Sequence, residues 1–294
     1  MRRVSTAEGF LGAEPWRADG HWDVVVVGLP YSGSSAAGRA DLGPGMLRSV
    51  SRALGPGPLR GPAPGWWDRA EQELLCAGLT FADAGDLRMD PLNAGQDLDL
   101  VPEVLERLRG TCRLLVVLGG DDSLGYWVHE GFTGVLVHLD AEEDARQPRC
   151  PSGPTRSDFV RHLERLDGLR IVQYGQRGLV QGRPEPPGGS RDLARDVAEL
   201  KSLVAGSGSA SCAVSLDVSV LDPGVLRSVA MPLPDGLTTA QLGGALRAVG
   251  SAGVPVRQLT VTEFAPEGAE GPAGRLDAMR LVQLVVRACH DWLT

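Results

Sequence analysis

The stretch Gly134-Val-Leu-Val-His-Leu-Asp-Ala-Glu-Glu-Asp-Ala-Arg146 decides how the chain is read, because an apolar run ends abruptly in Asp140, Glu142 and Asp144. Val135, Leu136 and Val137 read as a strand buried on both faces, the habit of parallel sheets. In an open α/β sheet ligands bind at the carboxyl ends of the strands, which is where these acids fall. Alternation along an extended segment points all three the same way. Like charges gathered so closely persist if solvent, a cation or a basic partner neutralises them, or if some take up protons. An acidic loop facing water is the plain alternative for a single such cluster.

Two further stretches repeat the pattern. Cys112-Arg-Leu-Leu-Val-Val-Leu118 runs into Gly119-Gly-Asp-Asp-Ser123, and Ser211-Cys-Ala-Val-Ser-Leu-Asp217 runs into Val218-Ser-Val-Leu-Asp-Pro223. Three apolar strands thus deliver Asp121 and Asp122, then Asp140, Glu142 and Asp144, then Asp217 at their carboxyl ends. Solvation alone explains three such placements poorly, whereas a hard divalent cation takes carboxylate oxygens directly.

The rest of the chain alternates strand and helix. Strands are expected at Trp22 to Gly28, Phe81 to Asp86, Leu169 to Tyr174 and Val256 to Val261. Gly43-Pro44 suits a helix start with Pro in the first turn. Helices are expected over Asp97 to Arg109, from Asp192 to Val204 with Ser190 as N-cap, over Thr239 to Val249 behind Thr238, and from Arg275 to Trp292. Residues 1–22 read as a surface leader, and Trp66-Trp67 as rings packed under a loop. With no linker-like break, the order implies one domain over residues 1–294, a three-layer α/β/α fold with a mostly parallel central sheet. The loop Leu29-Pro-Tyr-Ser-Gly-Ser-Ser35 lacks the spacing of a phosphate cradle.

Composition narrows the function classes. Hydrophobic residues make up 43% of 294, enough for a full core, and the formal net charge is −8. That balance argues against nucleic acid and anionic membranes as partners and is compatible with a cationic ligand. Five scattered cysteines without a C-x-x-C pair fit a reducing cytoplasm, with Cys112 and Cys212 as small core residues. The first residues lack the apolar core of a signal peptide, so a soluble cytoplasmic protein is expected.

On these motifs the sequence resembles the ureohydrolase family, which includes arginase, agmatinase and formiminoglutamase. Gly119-Gly-Asp-Asp-Ser123 is similar to the family's Gly-Gly-Asp-His-Ser, and His138-Leu-Asp-Ala-Glu-Glu-Asp144 to its His-Phe-Asp-Ala-His-x-Asp. Ser215-Leu-Asp-Val-Ser-Val-Leu-Asp-Pro223 resembles Ser-Leu-Asp-Ile-Asp-x-x-Asp-Pro, and Tyr174-Gly-Gln-Arg-Gly178 resembles a further family strand end. The resemblance implies an arginase-like fold and a site for a pair of manganese ions. It places the metal ligands at Asp122, Asp140, Glu142, Asp144, Asp217 and Ser219, so that both family imidazoles have become carboxylates and one Asp has become a hydroxyl.

One ion would touch Asp122, Asp140, Asp144 and Asp217, and a second would need Asp140, Glu142, Asp217 and the weak donor Ser219. One divalent ion, Mn or Mg, is therefore expected rather than two, with an empty site as the alternative, its acids relieved by proton uptake, by Arg146, Arg149 or Arg177, or by a bound cation. The resemblance makes Glu263 the partner of a substrate guanidinium, a pairing suited to a carboxylate. Glu142, as general base, and Asp121 complete the candidate catalytic set. No clear match to the family's proton-shuttle His follows Asp144, and His162 reads as structural. The two functions in play are a divergent enzyme acting on a C–N bond of a guanidino or amidino cation, and a non-catalytic relative that binds a ligand or partner subunit. The resemblance also implies a homo-oligomer.

Overall fold

The computed structural model describes residues 2–4, 9–33, 38–55, 61–90, 94–147, 153–180, 190–266 and 271–294. In chain order the strands are β1 (Arg2–Val4), β2 (Glu14–Pro15), β3 (Trp22–Leu29), β4 (Trp66–Asp68), β5 (Glu73–Leu75), β6 (Phe81–Arg88), β7 (Cys112–Gly119), β8 (Gly134–Leu139), β9 (Leu169–Tyr174), β10 (Arg191–Ala194), β11 (Cys212–Asp217) and β12 (Val256–Thr262). The helices are α1 (Gly43–Ser51), α2 (Ala94–Leu98), α3 (Val101–Arg109), α4 (Gly125–His129), α5 (Phe159–Leu163), α6 (Val197–Ala205), α7 (Thr239–Gly250) and α8 (Pro272–Leu293).

Ten of these strands form one sheet in the order β1-β6-β3-β7-β12-β11-β8-β9-β10, with β2 also on β6. All its pairings are parallel except that of β1 with β6. The valine runs explain why the sheet is covered on both sides. Val24 and Val26 enter the core under α1, α6, α7 and α8, while Val25 and Val27 enter the core under α3 and α4, as a period of two requires. The expected three layers with a mostly parallel sheet are what the structure has.

Several local expectations are corrected. The segment Arg191–Ala194 is a strand beside β9, and the helix behind it starts later, at Val197, capped by Asp196, which accepts the Glu199 N–H at 2.8 Å. Tertiary contact overrides the helical pattern there: the Arg191 guanidinium is buried against Glu143, Glu164 and Gln173. The helix expected over Asp97 to Arg109 is broken into α2 and α3, with Pro102 in the first turn of α3. The leader is not wholly superficial, since Phe10 and Leu11 are buried and β2 joins the sheet. Of the two tryptophans, Trp66 packs edge-on against Phe81 and donates to the Leu54 carbonyl, while Trp67 is 56% exposed on the β4–β5 hairpin. The Thr238 cap is present as a full capping box with Gln241. Cys112 and Cys212 are buried free thiols, as are Cys76 and Cys289, whereas Cys150 lies outside the described residues. No helix among the described residues is long and apolar enough to cross a membrane.

Candidate metal and guanidinium site

Four neighbouring strands, β7, β12, β11 and β8, carry the acids on their carboxyl ends. Asp122 follows β7, Glu263 follows β12, Asp217 ends β11 and Asp140 follows β8. Adjacent strands lie about 4.8 Å apart, so the loops must turn inward to bring these side chains together. They do so through specific backbone contacts. Glu263 N–H donates to the Gly120 carbonyl at 2.8 Å, and Asp122 N–H donates to Glu263 Oε1 at 2.9 Å, which clasps the two loops. Gly120 has no room for a side chain: a Cβ there would lie 1.6 Å from the Tyr31 carbonyl oxygen. Asp144 and Glu263 hold left-handed backbone, at φ 48° and 63°, which costs a non-glycine residue about 1–3 kcal/mol and is found where a site is over-determined by its surroundings.

Ligand atoms of Asp122, His138, Asp140 and Asp144 all lie within 4.8 Å of one another, and all four residues are buried. Both carboxylate oxygens of Asp122 and one of Asp140 are buried without a hydrogen-bond donor. Burial, compounded by the neighbouring acids, pushes the carboxyls of Asp122, Asp140, Asp144 and Asp217 well above the usual carboxylate range. Such a set is relieved either by protons or by a cation. Carboxylates gathered this closely, with three of their oxygens left without donors, fit a hard divalent ion.

His138 sits inside the quoted stretch but was not among the sequence-derived site residues. Its role follows from Gln173. Arg191 donates to Gln173 Oε1 at 2.9 Å, which fixes the amide so that Gln173 Nε2 donates to the Glu143 carbonyl (2.8 Å) and to His138 Nδ1 (2.9 Å). The imidazole, whose pKa is lowered by burial and by Arg191 to about 3, is neutral and carries its proton on Nε2, 3.4 Å from Asp140 Oδ2. His138 therefore points its N–H toward Asp140 without forming a hydrogen bond, and offers no lone pair to an ion. The signal for it was the alternation that puts residues 138 and 140 on one side of the strand.

The remaining sequence-derived residues take distinct places. Ser219 donates its hydroxyl to Asp140 Oδ1 at 3.0 Å and its N–H to Asp217 Oδ1 at 2.6 Å, so it bridges two acids. Glu142 anchors its N–H on Asp140 Oδ1 at 3.1 Å, but its carboxylate turns to the rim, where Arg146 lies 3.2 Å away. Asp121 is a turn cap: its carboxylate accepts from Ser32 at 3.0 Å and from both the N–H and the hydroxyl of Ser123. Arg177 donates to the carbonyls of Ser219, Val220, Leu233 and Pro234, which fixes the turn after β11. Arg149 lies outside the described residues. Among the described residues, the arginine that faces the acids is Arg156, 3.5 Å from Glu263, and no local pattern marked it. His162 stands 3.9 Å from Asp158 and edge-on to Tyr126, away from the acid cluster.

The pattern of the arginase family matches residues 22–286. The chain belongs to the arginase family. Among relatives of this arginase-family protein, proclavaminate amidinohydrolase of Streptomyces clavuligerus is 30% identical over 258 residues, covering 78% of this chain and 76% of that protein. The solved structure of that enzyme superimposes with a TM-score of 0.74 at 23% identity, over 99% of this chain and all of its own (100%). An agmatinase of Chromobacterium violaceum is 28% identical over 265 residues, 83% of this chain and 76% of that protein. A Trypanosoma cruzi formiminoglutamase variant, solved with Mn2+, matches with a TM-score of 0.68 at 18% identity, over 95% of this chain and 96% of that one. The expectation of a hydrolase is thereby met at the level of the family.

Proposed function

We propose that this arginase-family protein is an amidinohydrolase of small cationic molecules, dependent on one divalent ion, Mn or Mg, held by Asp122, Asp140 and Asp144 with Asp217 beside them. The observation that carries this reading is Asp122, whose two buried oxygens have no donor and face further acids. A divalent ion bound there would act as a Lewis acid and lower the pKa of water. The chain's own residues do the rest. Ser219 and the Glu142 N–H hold Asp140 in register through Oδ1, which leaves Oδ2 for the ion. Glu263 is a fixed, buried acceptor for a guanidinium or amidinium. Glu142 is the acid of the set that reaches solvent, which suits it to passing protons between the site and water. A second ion is disfavoured because the Ser219 hydroxyl is already given to Asp140 and Glu142 faces Arg146.

The relatives' names suggest the substrate panel, guanidino and amidino compounds that include agmatine. Metal analysis of protein purified without chelator, followed by assays of urea and amine release across that panel, tests the proposal. About one equivalent of Mn or Mg and turnover of at least one compound is the expected result. A metal-free protein inert to the whole panel refutes it.

A further inference from the structure

The acid cluster faces a guanidinium supplied by the chain itself. Arg156, in the segment that enters α5, places Nη2 3.5 Å from Glu263 Oε1, with its side chain only 17% exposed and that of Glu263 2% exposed. Burial opposes the charge on Arg156, yet Glu263, Asp217, Asp122 and Asp144 together hold its pKa above the ordinary value. Among the described residues, Arg146 is engaged with Glu142 at the rim and Arg177 with backbone carbonyls.

The two members of the pair are held unequally. Glu263 is fixed by its strained backbone, by its own N–H on Gly120 and by the Asp122 N–H on Oε1. Arg156 reaches it on a long side chain and makes an ion pair with no hydrogen bond. A free guanidinium making two parallel hydrogen bonds to the same carboxylate would have the stronger contact. The ion pair therefore covers the carboxylate without the paired hydrogen bonds that a free guanidinium would make there.

We infer that Arg156 is a specificity-determining residue: a tethered guanidinium that occupies Glu263 and must be displaced before a ligand cation can bind there. The inference rests on the reading of Glu263 as the guanidinium acceptor. An occupant present nine-tenths of the time raises the apparent dissociation constant of a competitor about tenfold. Arg156 thus sets a threshold that excludes weakly pairing cations.

The test is binding of methylguanidinium chloride to the full chain, followed by saturation-transfer NMR against matched sodium chloride. Arg156→Ala is expected to tighten binding about tenfold, with Arg156→Gln giving the same gain should the alanine variant fail to fold. Glu263→Gln should abolish the gain. Arg146→Gln removes an equal charge at the rim and should change binding far less. Unchanged or weaker binding in both Arg156 variants, while Glu263→Gln still abolishes binding, overturns the inference and leaves the Glu263 reading standing. An equal gain from Arg146→Gln also overturns it, since the effect would then be the general field. Binding that ignores Glu263 in every background overturns both the inference and that reading.

Discussion

Replacing Asp122 by Asn should stabilise the metal-free protein and destroy its response to metal. Asp122 is fully buried, both its oxygens lack donors, and Asp217 and Glu263 press on it electrostatically. The isosteric amide removes the charge and offers two donors to those same acids. Leaving a buried group unsatisfied costs roughly 1–3 kcal/mol, more for a charged one, so the gain should be at least about 1 kcal/mol. For a chain of this size that is a rise of roughly 2–4 °C in Tm per kcal/mol. The folded-state pKa of Asp122 is raised, so its contribution favours folding at acid pH, where both states are protonated or the folded state binds the extra proton. That contribution is lost as pH climbs from the ordinary value of 3.8 through the raised one. The advantage of Asn should accordingly be small near pH 4 and grow toward neutrality. With manganese the order reverses: an ion at a hundred times its Kd stabilises the parent by about 2.7 kcal/mol, and the variant gains little. Calorimetric melting in EDTA and in manganese, from pH 5 to 8, checks both halves. A variant less stable than the parent in EDTA at neutral pH, or one that manganese stabilises equally, would refute the reasoning.

Two other expectations follow from the same geometry. Gly120→Ala places a Cβ against the Tyr31 carbonyl and breaks the contacts Asp121 N–H to Tyr31 (3.1 Å) and Glu263 N–H to Gly120 (2.8 Å), so a loss of roughly 2–4 kcal/mol in urea unfolding is expected; a loss below about 1 kcal/mol would mean that the clasp is slack. The triple substitution Asp122→His, Glu142→His and Ser219→Asp returns imidazole and carboxylate donors to the acid cluster and should tighten manganese binding by at least tenfold in calorimetric titration. Unchanged affinity would show that the strand tips no longer present those positions to a common ion.

The layering was legible in the chain because it depends on short-range pattern. Short β-branched runs such as Val24 to Val27 suit strands covered on both faces of a parallel sheet, and acids that follow such strands fall at the carboxyl edge. The gathering of Asp122, Asp140 and Asp144 was read in this way, and Glu263 was singled out through the family motif that surrounds it. Arg191 was not legible as a strand residue, since its helical pattern yields to a buried guanidinium held by Glu143 and Glu164 from other segments. Nor was the division of labour among the polar residues. That Ser219 spends its hydroxyl on Asp140, that Asp121 caps a turn, and that Gln173 fixes the proton of His138 are facts of distance and angle between residues far apart in the chain.

By itself the sequence determined the central strands and most of the helices, how they layer, and that negative charge collects at one edge, because propensity and periodicity act over a few residues. Only the tertiary structure decided which acids share a space, which are already hydrogen-bonded, and that Arg156 faces Glu263. Those outcomes turn on contacts of 3 to 4 Å between strands and loops that no local pattern encodes, and electrostatic energy at that range changes steeply with position.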